Sequence, residues 1–482
     1  MDEEHDVPTD PRLMAATAVS KVMTRGIRRI GRGGGTALPG LIANKLDPRM
    51  LDKLARRLPA GTIVVAGTNG KTTTSRMLAE MLEAAGRGVV HNRAGSNLVR
   101  GISSAFAEQM TLLGSGRAEI GVIETDENAF PDVVRRVQPR VVLLLNLFRD
   151  QLDRYGELET IANHWRSAVR DLSPDTTLII DADDPNLAAL ANDTRARVVT
   201  FGLDVSGHAL SELPHASDAA ICRVCESPLV YDALFLSHLG DYHCPNCGNR
   251  RPRLDLAARD IQLDGMRALR MTVRDQREGS DAIDLELDVS VPGLYNAYNA
   301  LAAVAAARVL GLQPDPIWTT LREFTAAFGR LERVEYAGRT LTLALAKNPV
   351  GFNEILRMIA TVPLRAPDAL VIAINDLDAD GRDVSWLWDV DFEVLADDRH
   401  DATIFAAGLR GHDLAVRLKY ADVPIDRLDA SAAALPLSQA LDQIIASTQA
   451  NASIFLLLTY TALLQLRQTL ADRGAVAEFW EQ

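Results

Sequence analysis

Short apolar runs alternate with segments of helical periodicity along most of the chain. The segment from Lys71 to Ala85 has its apolar residues at helical spacing and is followed by Gly86, a common helix stop. Because strands that alternate with helices form mostly parallel sheets with helices on both faces, the pattern predicts an α/β protein. The strand-sized apolar runs in the first part of the chain lie at 62–66, 119–124, 141–147, 177–181 and 198–201.

The same alternation returns towards the carboxyl end, after two cysteine pairs have interrupted it. A chain of 482 residues, at roughly 100–200 residues per domain, is expected to form about three domains. Further strands are predicted at 285–291, 340–345, 369–374, 403–406 and 453–458, and an alanine-rich helix at 296–310. We predict a basic N-terminal segment at 1–57, a central domain at 58–335 with an insertion at about 205–255, and a C-terminal α/β domain at 336–482.

Composition and charge narrow the class of protein. The hydrophobic fraction of 47% argues against a mainly disordered chain, and the net charge of −13 argues against wholesale nucleic-acid binding. No apolar run approaches the about 20 residues of a membrane span, and Met1 is followed by acidic residues rather than by a secretory signal. We therefore expect a cytoplasmic protein.

The amino-terminal part of the chain is locally basic. Residues 11–57 contain eleven Lys or Arg residues, whereas Asp47 and Asp52 are their only acids. Two interpretations stay open at this point: a solvated helical face, or contact with an anionic partner such as the inner face of a membrane.

A glycine-containing loop stands between a predicted strand and a predicted helix. Backbone N–H groups at such a position point at an anion, and the helix dipole favours negative charge. Lys71 is expected to meet the β- and γ-phosphates of a nucleotide, and the Thr72 hydroxyl to bind Mg²⁺. Val65 occupies a position where the general phosphate-loop pattern has glycine, so a fortuitous turn is the alternative. The predicted ATP-binding residues of the loop are Thr68, Asn69, Gly70, Lys71, Thr72 and Thr73.

The four cysteines have the spacing of a zinc ribbon. They form two pairs with two residues inside each pair and eighteen residues between the pairs, at Cys222, Cys225, Cys244 and Cys247. Four thiolates suit a closed, structural Zn²⁺ site, and two disulfides are the alternative. If all four bind zinc, no cysteine is left as a nucleophile. Any cysteine-dependent step, such as the release of ammonia from glutamine, must then take place on another subunit.

The sequence of the loop resembles that of the Mur ligase superfamily, whose members join amino acids to peptidoglycan precursors or folates through acyl phosphates. Supporting strings are NLFRDQLDRYG at 146–156, DADDP at 181–185 and PGLYNAYNALAA at 292–303. The resemblance implies a Mur-ligase-like central P-loop domain that uses ATP and Mg²⁺. It implies that Glu124 binds magnesium together with Thr72, and that Asn296 and Asn299 bind ATP.

The chain departs from the family pattern at three histidine positions. Gln151 and Tyr155 replace both histidines of the first string, and Tyr295 replaces the histidine before Asn296. These replacements leave open whether a second magnesium ion is used. The use of a carbamylated lysine also stays open, because the sequence shows no convincing counterpart of that lysine.

The C-terminal strings resemble a more specific group, the MurT family of Mur-ligase-like subunits. They are KNPVGFNE at 347–354 and the acidic segment at 375–389, for which a solvated acidic loop is the alternative reading. The resemblance implies a Rossmann-like C-terminal domain and a partner, a GatD-type class I glutamine amidotransferase subunit. It also implies that Asp383 completes the catalytic triad of that partner.

The function implied by this resemblance is ATP- and glutamine-dependent amidation of lipid II. The α-carboxylate of D-glutamate in the stem peptide becomes D-isoglutamine through an acyl phosphate. One alternative is a Mur- or folylpolyglutamate-type ligase that adds an amino acid rather than ammonia. A nucleotide switch or zinc-ribbon nucleic-acid module without enzymatic activity is a further alternative, which the net charge of −13 disfavours.

Overall fold

Two separate β-sheets organise the protein. The computed structural model describes residues 10–29, 37–92, 96–112, 118–149, 158–205, 207–325, 330–361, 364–433 and 435–476. Within these residues the first sheet has nine strands, the second has six, and a two-stranded hairpin stands apart.

In the part of the chain that the structure describes, three helices precede the first sheet, and strands and helices then alternate. The elements are α1 (Pro11–Arg29), α2 (Ala37–Leu46), α3 (Met50–Ala55), β1 (Thr62–Ala66), α4 (Lys71–Ala84), β2 (Val89–His91), α5 (Val99–Gln109), β3 (Ile120–Glu124), α6 (Phe130–Val137), β4 (Val141–Leu144), α7 (Leu158–Arg170), β5 (Thr177–Asp181), α8 (Pro185–Leu190), β6 (Arg197–Leu203), β7 (Val230–Leu236), β8 (Leu239–His243), β9 (Leu256–Asp264), β10 (Ala268–Asp275), β11 (Ile283–Val289), α9 (Leu294–Val309) and α10 (Pro314–Glu323).

The nine-stranded sheet is parallel at its centre, in the order β11-β10-β9-β6-β5-β4-β1-β3-β2. Strand β1 pairs in parallel with β3 and with β4, while β9, β10 and β11 pair antiparallel. Alternate β1 residues enter different hydrophobic clusters, because helices cover both faces of the sheet. The carboxyl ends of β3, β1 and β4 therefore meet at one edge.

The second sheet contains β12 (Arg330–Tyr336), β13 (Arg339–Leu345), β14 (Ala369–Ala373), β15 (Thr403–Ala407), β16 (Leu428–Asp429) and β17 (Ser453–Leu458). Its order is β12-β13-β17-β14-β15-β16, and every pair except β12–β13 is parallel. The predicted α/β architecture is confirmed in both parts of the chain. The helices of this part are α11 (Pro349–Thr361), α12 (Gly411–Tyr420), α13 (Leu437–Ser447) and α14 (Tyr460–Asp472).

The predicted strand over 141–147 is too long. Strand β4 ends at Leu144, although the backbone N–H of Leu145 still donates to the Ala66 carbonyl at 2.9 Å. The chain then leaves the sheet because Asn146 and Phe148 bond to the loop that follows β1. Apolar side chains continue to Leu147, which is why the sequence does not reveal the strand end.

The amino-terminal helices pack against the first sheet through α5. Arg12 Nε donates to the Leu46 carbonyl at 2.6 Å, and Lys21 Nζ donates to the Glu108 carbonyl at 2.9 Å. At Gly40 a side chain would collide with the Arg100 carbonyl, so α2 and α5 approach as closely as their backbones permit. Within the described ranges, no helix combines the length and apolar character that crossing a membrane requires.

Candidate functional site

The loop between β1 and α4 has a backbone that only glycine accommodates readily. Gly70 precedes α4 with φ of 85°, in the left-handed region. A Cβ atom at Gly70 would also clash with the Asn299 side chain. The loop thus presents the amino end of α4 next to Asn299, as expected of a site for phosphate.

Lys71 is buried, and its ammonium group is fully engaged. Its Nζ donates to the carbonyl oxygens of Gly67 at 2.5 Å and Thr68 at 3.1 Å, and to Glu127 Oε1 at 2.9 Å. Lys71 and Glu127 are 7% and 4% exposed. The predicted phosphate-binding lysine is therefore folded back onto its own loop and paired with an acid that the sequence analysis did not assign.

Thr72 and Glu124 lie side by side at the shared edge of β1 and β3. The Thr72 hydroxyl donates to Glu124 Oε1 at 3.1 Å. Asn92 fixes the backbone of Glu124, accepting from its N–H at 2.8 Å and donating to its carbonyl at 2.8 Å. The two predicted magnesium residues are thus brought together from positions 52 residues apart.

Asn146 holds the other side of the loop. Its Oδ1 accepts from the Asn69 N–H at 2.8 Å, and its Nδ2 donates to the Asn69 carbonyl at 3.1 Å. The Thr68 hydroxyl accepts from the Phe148 N–H at 3.0 Å. These bonds explain the first residues of the NLFRDQLDRYG string. Residues 150–157, which include Gln151 and Tyr155, lie outside the described residues.

The two asparagines predicted to bind ATP form a short chain of hydrogen bonds near the loop. Asn299 Nδ2 donates to Asn296 Oδ1 at 3.0 Å, and Asn296 Nδ2 donates to the Pro292 carbonyl at 2.7 Å. The Thr74 hydroxyl donates to the Asn299 carbonyl at 3.3 Å. The amino end of α9 is thereby positioned against the amino end of α4.

The acidic turn at 181–184 does not contribute to the loop between β1 and α4. Its side chains instead anchor the cysteine-containing insertion. Asp183 accepts from Arg251 Nη1 at 2.9 Å and from the Tyr298 hydroxyl at 2.8 Å. Burial raises the pKa of Asp183 to about 6, although Arg251 opposes the shift. Asp184 caps α8 and lies 3.3 Å from His238 of the insertion. The turn therefore connects the insertion with α9 through Tyr298.

The four cysteine sulfurs converge beside the β7–β8 hairpin, all within 4.8 Å of one another. Cys222 and Cys247 are 3.7 Å apart, and Cys225 and Cys244 are 3.5 Å apart. Tetrahedral Zn²⁺ with Zn–S bonds of about 2.3 Å would separate its sulfur ligands by about 3.8 Å. The thiols are free and so arranged that their positions fit such an ion.

Asp383 lies in the loop after β14 of the second sheet and is exposed. Its Oδ1 accepts from the Ser385 N–H at 2.8 Å, and this bond lowers the pKa of Asp383 below its usual range. In the same loop Arg382 pairs with Asp378 at 2.6 Å. The structure thus places Asp383 and the phosphate loop on different sheets, and Asp383 faces solvent.

Three residues that shape the site were not predicted from the sequence. Glu127 contacts Lys71, Asn92 fixes Glu124, and Asn348 bonds to the Asn69 side chain at 3.0 Å. Glu127 shares the string ETDE with Glu124 directly after a buried strand, which was a usable signal. Asn92 carries no comparable signal, because its partner is distant in sequence. Asn348 belongs to the string KNPVGFNE at 347–354, but the string does not reveal its distant partner Asn69.

Two family models match the chain. The model described as Mur ligase middle domain matches residues 65–242, and the model described as MurT ligase C-terminal matches residues 345–463. These two segments contain the phosphate loop and the Asp383 loop respectively.

Among solved structures, the fold is similar to that of peptide ligases. A pseudomurein peptide ligase type C from Methanothermus fervidus aligns with a TM-score of 0.65 and 21% identity, covering 87% of this chain and 80% of that chain. MurF from Acinetobacter baumannii aligns with a TM-score of 0.63 and 18% identity, covering 92% of this chain and 80% of that chain. At these identities the likeness concerns the fold alone.

Curated relatives are more similar in sequence. The "lipid II isoglutaminyl synthase (glutamine-hydrolyzing) subunit MurT" of Staphylococcus aureus (strain COL) is 34% identical over 416 residues, which are 86% of this chain and 89% of the relative. The protein of the same name from Streptococcus pneumoniae (strain ATCC BAA-255 / R6) is 33% identical over 454 residues, 93% of this chain and 95% of the relative. This chain therefore belongs to the MurT family of Mur-ligase-like proteins.

Proposed function

We propose that the chain is the ATP-dependent subunit of a lipid II isoglutaminyl synthase. It converts the α-carboxylate of D-glutamate in the lipid II stem peptide to the amide of D-isoglutamine. The observation that carries the proposal is the meeting of Lys71, Thr72 and Glu124 at one sheet edge, in a chain of the MurT family. That arrangement suits transfer of a phosphoryl group from ATP.

The loop residues bind the nucleotide in this proposal. N–H groups at the amino end of α4 face the phosphates, and Lys71 and the loop threonines contact them. Asn296 and Asn299 bind ATP from α9. In the order of the chain, the ATP-binding residues are Thr68, Asn69, Gly70, Lys71, Thr72, Thr73, Asn296 and Asn299.

Thr72 and Glu124 would hold Mg²⁺. Their oxygens are 3.1 Å apart, close to the about 2.9 Å that separates adjacent ligands of an octahedral ion with Mg–O distances of about 2.05 Å. The ion supplies positive charge that offsets the charge developing on the transferred phosphoryl group.

The reaction proceeds in two displacements. A carboxylate oxygen of the stem peptide attacks the γ-phosphorus, ADP leaves, and an acyl phosphate forms. The lone pair of ammonia then attacks the acyl carbon, the C–O bond to phosphate breaks, and the nitrogen loses a proton as the amide forms. Activation is needed because ammonia does not displace oxide from a free carboxylate.

Ammonia comes from a GatD-type class I glutamine amidotransferase subunit in this proposal. Asp383 is exposed, as a residue that completes a triad on another subunit must be. Exposed Leu377 and Leu409 follow the carboxyl ends of the neighbouring strands β14 and β15. Trp388, in the Asp383 loop, is 54% exposed. These apolar side chains at one sheet edge give the partner a surface around Asp383.

The cysteine cluster holds a structural Zn²⁺ in this proposal. Four thiolates within 4.8 Å of one another would fill a tetrahedral zinc site and leave no open position for catalysis. The ligands would be Cys222, Cys225, Cys244 and Cys247.

The predicted division of the chain into residues 1–57, 58–335 and 336–482, with the insertion at about 205–255, belongs to this proposal. The N-terminal segment would contact the membrane surface that contains the lipid substrate. Helices α1 and α2 contain no acidic residue. Their exposed side chains include apolar Val22, Leu38 and Leu41 beside basic Arg25 and Lys45. Basic and apolar residues together suit an anionic lipid surface at the inner face of the membrane.

One preparation tests the proposed reaction. The full chain is purified with and without a GatD-type subunit, supplied with ATP, Mg²⁺, glutamine and lipid II, and the stem peptide is analysed by mass spectrometry. We expect conversion of the acid to the amide. With glutamine as the nitrogen source the conversion should require the partner subunit, and with ammonium salts it should not. Addition of an amino acid residue would instead identify a Mur-type peptide ligase, and an unchanged peptide would refute the proposal.

A further inference from the structure

Lys71 has no N–H group left for a phosphate in this structure. An ammonium group has three donors, and those of Lys71 are taken by the carbonyls of Gly67 and Thr68 and by Glu127 Oε1. A nucleotide can contact Lys71 only if at least one of these bonds is exchanged. Binding is therefore a competition between phosphate oxygens and the present partners.

Of these three partners, Glu127 alone carries a full negative charge, and it is held in place. It follows β3 by three residues, and its backbone carbonyl accepts from Trp165 Nε1 at 2.8 Å. The Trp165 ring packs against Phe130, with centroids 4.8 Å apart. The Glu127 side chain is 5% exposed. Because a lysine stem is flexible and this turn is packed, Lys71 rather than Glu127 is the residue that moves.

The surroundings of Lys71 are acidic as long as no divalent ion is present. Glu124, Asp126 and Glu127 follow or end β3 and are all buried, and Lys71 pairs with Glu127 of this group. An ATP molecule without a metal ion would bring further negative charge to this edge. A divalent ion held by Thr72 and Glu124 would offset part of the negative charge there.

We propose that Glu127 is a positioning residue that competes with the nucleotide for Lys71 and makes the phosphate loop selective for metal-bound ATP. Without the ion, the phosphates must displace a buried carboxylate from Lys71 while facing Glu124. With the ion, Glu124 is neutralised and the displacement becomes favourable. This inference rests on the proposed binding of ATP at the loop, but not on the identity of the acceptor.

The test measures ATP binding to the full chain by calorimetry, with excess Mg²⁺ and in magnesium-free buffer. No chelator is used, so that a metal held by the cysteines stays in place. For Glu127→Gln we expect metal-free ATP to bind at least about tenfold more tightly than to the unchanged chain, the lower end for one charge-assisted hydrogen bond. Binding of MgATP should tighten by a smaller factor, because MgATP brings less negative charge towards Glu127, whereas a general structural defect would weaken both affinities.

Asp126→Asn is the matched control, because it removes a neighbouring buried charge without touching Lys71 Nζ. It should leave the ratio of the two affinities close to that of the unchanged chain. Glu127→Asp, which retains the charge, should restore most of the discrimination and covers the case in which Glu127→Gln folds poorly. The inference would be overturned if the Glu127→Gln variant bound both forms of ATP more weakly, or if the variant no longer bound the metal ion. Failure of the unchanged chain to bind MgATP would instead refute the proposed function.

Discussion

The side chains of Asn69 and Asn348 hydrogen-bond to each other between the two sheets, with Asn348 Nδ2 3.0 Å from Asn69 Oδ1. Asn69 belongs to the phosphate loop, and Asn348 directly precedes α11. Asn348 Oδ1 also accepts from the Gly351 N–H at 2.9 Å, within the first turn of α11. The position of the loop is thus coupled to the start of a helix in the C-terminal part.

Asn348→Ala should uncouple the two parts. It removes a buried amide that bonds both to Asn69 and to the backbone of α11, and each bond contributes about 1 kcal/mol. We expect amidation by the complex to slow about fivefold to thirtyfold, with a smaller change in MgATP affinity. Steady-state kinetics together with calorimetry measure the two quantities.

Asn353→Ala is the control for this variant. It breaks the bond between Asn353 Nδ2 and Asp391 Oδ2, 2.8 Å long, and leaves Asn69 untouched. Equal slowing by Asn348→Ala and Asn353→Ala would show that the coupling between loop and helix is unimportant.

Gly70→Ala should lower the unfolding free energy more than Gly86→Ala does, although both glycines have a similar positive φ. Gly86 has φ of 80° and open space around a Cβ atom, so Gly86→Ala carries the backbone strain alone, about 1 kcal/mol. At Gly70 the same strain is joined by the clash with Asn299, which adds about 1–3 kcal/mol. Urea denaturation of both variants measures the difference.

The double variant Gly70→Ala/Asn299→Ala separates the two contributions. Removing the Asn299 side chain should restore the stability lost to the clash but not the stability lost to backbone strain. The double variant should therefore lose less unfolding free energy than the sum of the two single losses. Strictly additive losses would contradict the close approach of α9 to the loop.

Cys225→Ser should remove the metal from the cysteine cluster. Three remaining thiolates bind zinc more weakly than four, so less than one zinc ion per chain should be found by plasma mass spectrometry after dialysis. The thermal midpoint should fall as well. His243→Ala is the control, because His243 adjoins Cys244 but its Nδ1 lies 2.9 Å from Asp232. A chain that lacks zinc without any substitution would refute the proposed site.

The loop could be recognised in the sequence because its residues are contiguous and follow a buried strand, whereas Glu124 was expected from the resemblance to the Mur ligase superfamily. The nucleotide and magnesium roles of these residues stay predictions. Glu124 ends a wholly apolar run, and Gly67 to Thr73 are contiguous. The link between Asn69 and Asn348 could not be predicted, because it joins residues 279 positions apart and depends on how two sheets pack.

Strands were missed where the burial pattern differs from a simple apolar run. Strands β9 and β10 contain Arg259, Arg270 and Arg274, whose side chains form ion pairs on the sheet surface. Strand β12 begins at Arg330, before the predicted boundary at 336, because it pairs with β13 across a tight turn at Ala337 and Gly338. Such antiparallel strands, of which β12 lies at a sheet edge, depend on a neighbouring strand rather than on their own hydrophobicity.

Asp383→Asn should abolish glutamine hydrolysis by the complex while sparing the phosphate loop. An amide cannot stabilise a protonated histidine of the partner, so we expect a loss of at least about a hundredfold in glutaminase rate. Binding of MgATP and ammonium-dependent amidation should persist. The control is Asp378→Asn, an exposed aspartate of the same loop that pairs with Arg382. Equal glutaminase rates in the two variants would exclude Asp383 from the triad.

Glu354 should make the stability of the protein depend on pH. Burial raises the pKa of Glu354 to about 7, although Arg357 opposes the shift. The Arg357 guanidinium is 3.9 Å from the carboxylate and donates instead to the carbonyls of Phe235 and His208, both at 2.6 Å. The folded state therefore retains a proton on Glu354 between pH of about 4.5 and 7, where the unfolded chain has lost it. Unfolding free energy must fall as the pH rises through this window.

Glu354→Gln isolates this contribution from those of the other buried acids. The glutamine cannot ionise, so the variant should lose less stability than the unchanged chain between pH 5 and pH 8, by at most about 3 kcal/mol. Denaturant titrations at several pH values measure the difference, with exposed Glu323→Gln on α10 as the control. Because Arg357 anchors α11 to the cysteine-containing insertion, charging of Glu354 at high pH should loosen this contact first, and amide exchange in 230–243 should accelerate. Parallel stability curves for Glu354→Gln and the unchanged chain would show that Glu354 is ionised throughout and that its burial costs nothing at neutral pH.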